Sequence, residues 1–99
     1  MRGSEKQIRW ANGIKENVLA IIADAIAACE SANISDEQKA SFICQMNTVK
    51  FNVENVEYAS ELINVFARVK HTGEYKADIK ALKSAIRFDE NKTFSKAVK

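Results

Sequence analysis

The chain has 99 residues, of which 46% are hydrophobic and 28% are charged, and its formal net charge is +2. This length suits one independently folding domain, and the hydrophobic fraction and low net charge exclude a wholly disordered chain. Proline is absent and glycine is scarce, which disfavours a β-sandwich with many tight turns. We therefore expect one all-α domain over residues 1–99, a compact bundle or orthogonal array of about four helices.

Cysteine content and apolar runs restrict the cellular setting. Cys29 and Cys44 lack the number and spacing of a disulfide framework or a zinc site, so we expect both to pack as small hydrophobic groups. The chain does not open with a signal peptide pattern, and its longest apolar run is interrupted by Asp24 and is too short to cross a bilayer. We expect a cytoplasmic protein that makes no membrane contact.

The first predicted helix begins at Ser4, which forms a capping-box pattern with Gln7. Apolar residues then recur at steps of three or four, which indicates one face of a helix. These are Ile8, Ala11, Ile14, Val18, Ile22, Ala25 and Cys29. Asp24 is expected on the narrow polar face. Gly13 is expected either to allow the close approach of another backbone or to mark a bend.

The second predicted helix begins at Ser35, again with a glutamine three residues later. Residues 48–53 alternate apolar and polar side chains, which is typical of a strand. We interpret them as the end of this helix and a short extended connector. The third helix is predicted to begin near Asn52 or Asn55 and to end near Gly73.

The fourth predicted helix spans about residues 74–88, and residues 88–99 are expected to form a loosely ordered tail. Residues 1–67 hold six basic and nine acidic side chains, whereas residues 68–99 hold nine basic and four acidic ones. Most of the basic excess follows helical spacing and forms a stripe beside the apolar face. The stripe consists of Lys76, Lys80, Lys83 and Arg87, with Lys92 and Lys96 as its extension.

This basic stripe has three interpretations. It is a solvated helix face that keeps the protein soluble, a contact surface for an acidic protein, or a binding site for nucleic acid phosphates. The stripe holds one arginine and no interleaved aromatic residue, which disfavours base-specific readout. Among binding roles we therefore favour a protein as the partner, with nucleic acid as the alternative. A homodimer through an exposed Trp10 or Phe94 also remains open.

Two further features carry candidate roles. Arg9 and Trp10 are residue types that are common at interface hot spots, although we favour the interpretation that Trp10 covers the edge of the core with arginine stems lying on it. His71 is the only histidine, and we expect it on the surface near a helix end. No set of residues indicates catalysis, so we expect no enzyme, no cofactor and no metal.

The segment from Gly3 to Ile14 carries the pattern GS-x-KQ-xx-WA-xx-I. It resembles a segment of small proteins from bacterial phages and integrative elements, and it implies a mobile-element origin without implying a chemistry. Small helical phage proteins include inhibitors of bacterial defence such as anti-CRISPR proteins. By that analogy we expect a non-catalytic protein that binds a host or phage protein and that acts as such an inhibitor.

Overall fold

Four helices form the computed structural model, which describes residues 1–89 and 92–95. They are α1 (Glu5–Glu30), α2 (Asp36–Glu54), α3 (Ala59–Phe66) and α4 (Tyr75–Arg87). The described residues form no strand, and the extended pairing among them is an isolated parallel bridge between Arg2 and Tyr58. The all-α fold expected from the sequence is therefore confirmed.

Reciprocal capping boxes determine where the two longest helices begin. The Ser4 hydroxyl accepts a hydrogen bond from the Gln7 backbone N–H at 3.1 Å, and the Gln7 side chain accepts one from the Ser4 N–H at 3.1 Å. Ser35 and Gln38 make the same exchange at 3.2 Å. Each box satisfies backbone donors that a helix start leaves without partners. Both predicted starts are confirmed.

The central element is α1, which packs against each of the other three helices. Asp24 is exposed, as its predicted place on a polar face requires. A Cβ atom added at Gly13 would meet nothing within 4 Å, so the close approach of another backbone predicted there is wrong. The buried residues of α1 are Ala11, Ile14, Val18, Ile21, Ile22, Ala25 and Cys29.

The extended connector predicted at residues 48–53 is wrong, because α2 continues through them to Glu54. The buried side chains of α2 are Met46, Val49 and Val53, whose steps of three and four place them on one helix face. Phe51 is 48% exposed. The alternating apolar residues are therefore of two kinds. Val49 and Val53 belong to the buried face of α2, whereas Phe51 is exposed.

The third helix is shorter at both ends than the sequence predicted, because α3 covers only Ala59–Phe66. Before it, the Arg2 N–H donates to the Glu57 carbonyl at 2.6 Å and the Ala59 N–H donates to the Arg2 carbonyl at 2.8 Å. Arg2 thus forms backbone hydrogen bonds with residues just before and at the start of α3. After it, Val69 lies outside the helix but remains 3% exposed.

A buried carboxylate organises the turn that precedes α4. Asp78 is 2% exposed and accepts hydrogen bonds from the Thr72 hydroxyl at 2.6 Å, the Thr72 N–H at 3.1 Å and the Gly73 N–H at 3.3 Å. The Thr72 hydroxyl is the main cause that lowers the pKa of Asp78 from its usual value of 3.8, and burial opposes it. Since both backbone N–H groups bind this carboxylate, the third helix does not reach Gly73.

The chain returns to the core after α4. Phe94 is fully buried, and its ring centroid lies 4.7 Å from that of Phe66 with a 58° angle between the rings. The Asn52 side-chain amide donates to the Phe94 carbonyl at 3.0 Å. The predicted loose tail is therefore wrong at Phe94, as is the exposed position considered for it in a homodimer. The remainder of the predicted tail includes residues 90–91 and 96–99, which lie outside the described residues.

The N-terminal turn requires a glycine. Gly3 has a φ of +152°, and a Cβ atom there would lie 3.1 Å from Gln7 Oε1 and 3.2 Å from Ala59 Cβ. Residues with a side chain rarely adopt this backbone conformation. The conformation of Gly3 therefore allows Arg2 to pair with Tyr58 while Ser4 caps α1.

Candidate functional site

Four cations on α4 form one exposed strip, which we call the basic face. Its residues are Lys76, Lys80, Lys83 and Arg87, and all four are exposed. Their steps of four, three and four place them within an arc of about 60° around the helix. Leu82 and Asp78 are buried on another side of α4. The fold thus brings together the four residues that the sequence predicted as a stripe, whereas their binding role stays a prediction.

None of the described carboxylates pairs with the basic face. The ion pairs within residues 1–89 and 92–95 are Arg2–Glu57, Arg9–Glu5 and His71–Asp24. Asp78 is the acidic residue within α4, and its oxygens accept hydrogen bonds from Thr72 and Gly73. The four charges therefore produce a positive potential that extends into solvent.

Lys83 connects the basic face to α2. Its ammonium nitrogen lies 5.3 Å from the centroid of the Phe42 ring. A cation–π contact at an exposed site contributes about 0.5–1 kcal/mol. This contact places the charge of Lys83, on α4, next to Phe42 on α2.

An apolar groove, which we call the α2–α4 groove, lies beside the start of the basic face and has a volume of about 360 Å³. Two of its residues, Ile34 and Tyr75, are large apolar side chains with exposed fractions of 43% and 45%. Lys76 is the one charged residue among those described that line it. The groove is lined by Ala25, Ala28, Cys29, Ala32, Ile34, Phe42, Tyr75, Lys76 and Ile79.

A second recess of about 560 Å³, which we call the distal recess, lies farther along the same two helices. Cys44 and Met46 of α2 line it from one side, and Ile86 of α4 lines it from the other. Lys83 and Arg87 also line it. The basic face therefore borders apolar surface near both of its ends.

The predicted extension of the basic face is described only in part. Lys92 is exposed in the turn after α4, with a φ of 55° that is uncommon for a residue with a side chain. Lys96 lies outside the described residues. The basic face therefore consists only of described residues of α4.

Most of the N-terminal pattern GS-x-KQ-xx-WA-xx-I has a structural role. Gly3 supplies the positive φ, and Ser4 and Gln7 form the capping box. Ala11 and Ile14 belong to the core. The resemblance to phage and mobile-element proteins therefore rests largely on residues that form the start of a helix.

The second predicted surface, which contains Arg9 and Trp10, has fewer unpaired charges than the basic face. Arg9 lies 3.6 Å from Glu5, so its charge has an internal partner. Trp10 is 57% exposed and Lys6, one turn before it, is exposed. The indole ring of Trp10 is therefore available for contact.

The cysteines and the histidine do not form a common site. Cys29 is buried, as predicted, whereas Cys44 is exposed, so the prediction that it packs as a core residue is wrong. No cluster of potential metal ligands occurs among the described residues. His71 Nε2 lies 2.6 Å from Asp24 Oδ2, an ion pair when the imidazole is protonated, which attaches the connector before α4 to α1.

Comparisons with protein-family models, with curated proteins and with solved structures find no match for this chain. No helix among the described residues has the length and apolar character needed to cross a membrane.

Sequence reasoning located the basic face but missed the groove beside it. Ile34 lies just before the second helix and Tyr75 near the start of the fourth, and no local pattern of residues indicates that they meet. The His71–Asp24 pair joins residues 47 positions apart and has no local signal.

Proposed function

We propose that this chain is a non-catalytic binding protein that places its basic face against an acidic surface of a partner protein. The observation that carries the proposal is four exposed cations, paired with no described carboxylate, beside exposed apolar surface. Binding through such a face breaks no internal ion pair of the described chain, and complementary charge accelerates association.

The apolar surface favours a protein over a nucleic acid as the partner. Contacts to phosphates need only cations, and an apolar groove gains nothing from a phosphate backbone. A protein interface commonly combines an apolar centre with a polar rim. The α2–α4 groove with the basic face along its edge has that composition. Nucleic acid binding is the alternative that the experiment must separate.

The proposed setting is the cytoplasm of a bacterial host, in keeping with the resemblance of residues 3–14 to phage and mobile-element proteins. In its specific form, the proposal is inhibition of a bacterial defence system, as an anti-CRISPR protein achieves by covering an effector's surface. Small size and helical fold are compatible with this role without implying it. Trp10 supplies a second contact in this proposal.

The test is affinity capture from nuclease-treated bacterial lysate with three forms of the full chain. One form is unaltered, and a second carries glutamine at the four positions of the basic face. The third is a matched control that removes four charges elsewhere, from Lys15, Lys50, Arg68 and Lys70, of which Lys15 is half-buried and the others are exposed. We expect a protein captured by the unaltered and control forms and lost from the basic-face variant.

Equal capture by all three forms would contradict the proposal. Recovery of nucleic acid without nuclease treatment, and of no protein after it, would support the alternative. In that case the affinity for a DNA duplex should fall with salt at a log–log slope of roughly −4 for four phosphate contacts. For the defence-inhibitor form, phage plating on a host with an active CRISPR system should rise when the unaltered chain is expressed.

A further inference from the structure

The α2–α4 groove and the distal recess follow one line on the molecule. The first is lined by Tyr75 and Lys76 near the start of α4, and the second by Ile86 and Arg87 near its end. The 13 residues of α4 span about 20 Å. Apolar recesses with a positive edge therefore lie near both ends of a line that is roughly three to four helical turns long.

We propose, resting on the function proposed above, that this line accepts an acidic amphipathic helix of the partner protein. Apolar side chains of that helix fill the α2–α4 groove and the distal recess. Carboxylates beside them meet the basic face. The partner's chemistry is thus a helix of about 16 residues with apolar side chains one turn apart and an excess of glutamate or aspartate.

The shape of the groove favours a helix over an extended peptide. An extended peptide gains affinity by pairing its backbone with an exposed sheet edge, and the described residues provide no strand. The groove floor carries Ala25, Ala28 and Ala32, which are small enough for a second helix to approach. Phe42 and Ile79 form its sides on α2 and α4.

The charge around the groove favours an acidic helix. The described residues that line the groove include Lys76 and no carboxylate, and those that line the distal recess include Lys83 and Arg87 and likewise no carboxylate. A basic helix would place like charges against this edge, and that arrangement is unfavourable. A neutral apolar helix would leave the four cations without partners.

The first part of the test selects the preferred sequence without assuming it. A display library of helix-forming peptides of about 16 residues is panned against the full chain in about 150 mM salt. Surface positions vary among glutamate, lysine and glutamine, and one helix face varies among leucine, isoleucine, phenylalanine and glutamine. We expect enriched peptides to combine an apolar face with a glutamate excess.

The second part separates the groove from the charge. Ala28→Arg fills the groove floor while adding positive charge, and arginine near the end of α1 suits both helix propensity and the helix dipole. We expect it to weaken the enriched peptide about tenfold or more by fluorescence anisotropy. Ile34→Ser, which changes an exposed groove residue without changing charge, should weaken it several-fold. Circular dichroism of each variant checks whether it keeps its helices.

Several results would overturn the inference. These are enrichment of basic peptides, enrichment without an apolar face, no enrichment, or unchanged or tighter binding to Ala28→Arg. Its failure is distinguishable from failure of the proposed function. If the captured lysate protein is lost from the basic-face variant but retained by Ala28→Arg, the basic face is the contact and the groove is not.

Discussion

Gly3 and Gly13 lie in the same N-terminal segment, but their surroundings assign them opposite effects on stability. Gly3 has a positive φ and crowded surroundings, whereas Gly13 is helical with open space where a Cβ atom would lie. We expect Gly3→Ala to lower the free energy of unfolding by about 1–2 kcal/mol. Gly13→Ala should raise it by about 0.5–1 kcal/mol. Urea unfolding followed by circular dichroism measures both, each serving as the other's control.

Equal effects of the two alanines would contradict the distinction between their backbone conformations. A neutral Gly3→Ala would show that the Arg2–Tyr58 bridge does not hold the N-terminus in place.

Asp78 makes stability depend on pH. Its folded-state pKa is lowered by the Thr72 hydroxyl and by backbone donors, so the native state binds its proton less tightly than the unfolded state does. The resulting stabilisation is present above the unfolded-state pKa and is lost as pH falls through the folded-state value. We expect Asp78→Asn to be less stable than the unaltered chain at neutral pH, and the difference to shrink as pH falls below about 4.

Thermal unfolding between neutral and acidic pH tests this dependence. Glu16→Gln is the control, since Glu16 is an exposed carboxylate of α1 and forms none of the ion pairs of the described chain. If the difference in thermal stability between Asp78→Asn and the unaltered chain does not change with pH, the charge of Asp78 does not stabilise the turn before α4.

Local signals explain which residues were predicted correctly. Ser4 and Ser35 were recognised because a capping box is complete within four residues of sequence. The partners of Asp24 and Phe94 were not recognised, because they lie in other elements. A sequence pattern shows that Phe94 is apolar, but only the packed structure shows that it reaches Phe66.

The same distinction applies to the helices. Steps of three and four predicted α1 and α4 with nearly the bounds observed. The end of α2 was misinterpreted because Phe51 is a large apolar residue that stays exposed. Residues 72–73, where α3 was predicted to end, instead donate backbone hydrogen bonds to Asp78. Such competition for backbone donors by a side chain of the next helix is not visible in the helix's own periodicity.

The segment after α4 is anchored by one aromatic side chain. Phe94 is fully buried against Phe66, whereas Phe88, six residues earlier, is 78% exposed. We expect Phe94→Ala to lower the free energy of unfolding by about 3–5 kcal/mol. Phe88→Ala should change it by no more than about 0.5 kcal/mol. Urea unfolding of both variants measures the difference, and similar small effects would show that Phe94 does not belong to the core.

Across the whole molecule, four of the nine basic residues in the last third of the chain lie on one helix face. The position of this face followed from spacing within α4, and its prediction needed no knowledge of the other helices. The groove beside it is formed jointly by α1, α2 and α4, with Ile34 from the loop before α2. It could not be predicted from any one of these segments.

Clustering the four cations should cost stability. Lys80 has Lys76 four residues before it and Lys83 three residues after it, and like charges at these spacings repel. We expect Lys80→Glu to raise the free energy of unfolding by roughly 1 kcal/mol at low salt, because two repulsive pairs become attractive. The same substitution should weaken capture of the partner protein, since it reverses a charge at the centre of the basic face.

Unfolding in about 10 mM and about 1 M salt tests the electrostatic origin, because the gain should largely disappear when the Debye length falls to about 3 Å. Lys50→Glu is the control of opposite sign, since it places like charges at positions 50 and 54 of α2 and should lower stability by a few tenths of a kcal/mol. A gain in stability together with a loss of binding is expected if the cations are retained for contact. Stabilisation without any loss of capture would instead assign the basic face to solvation.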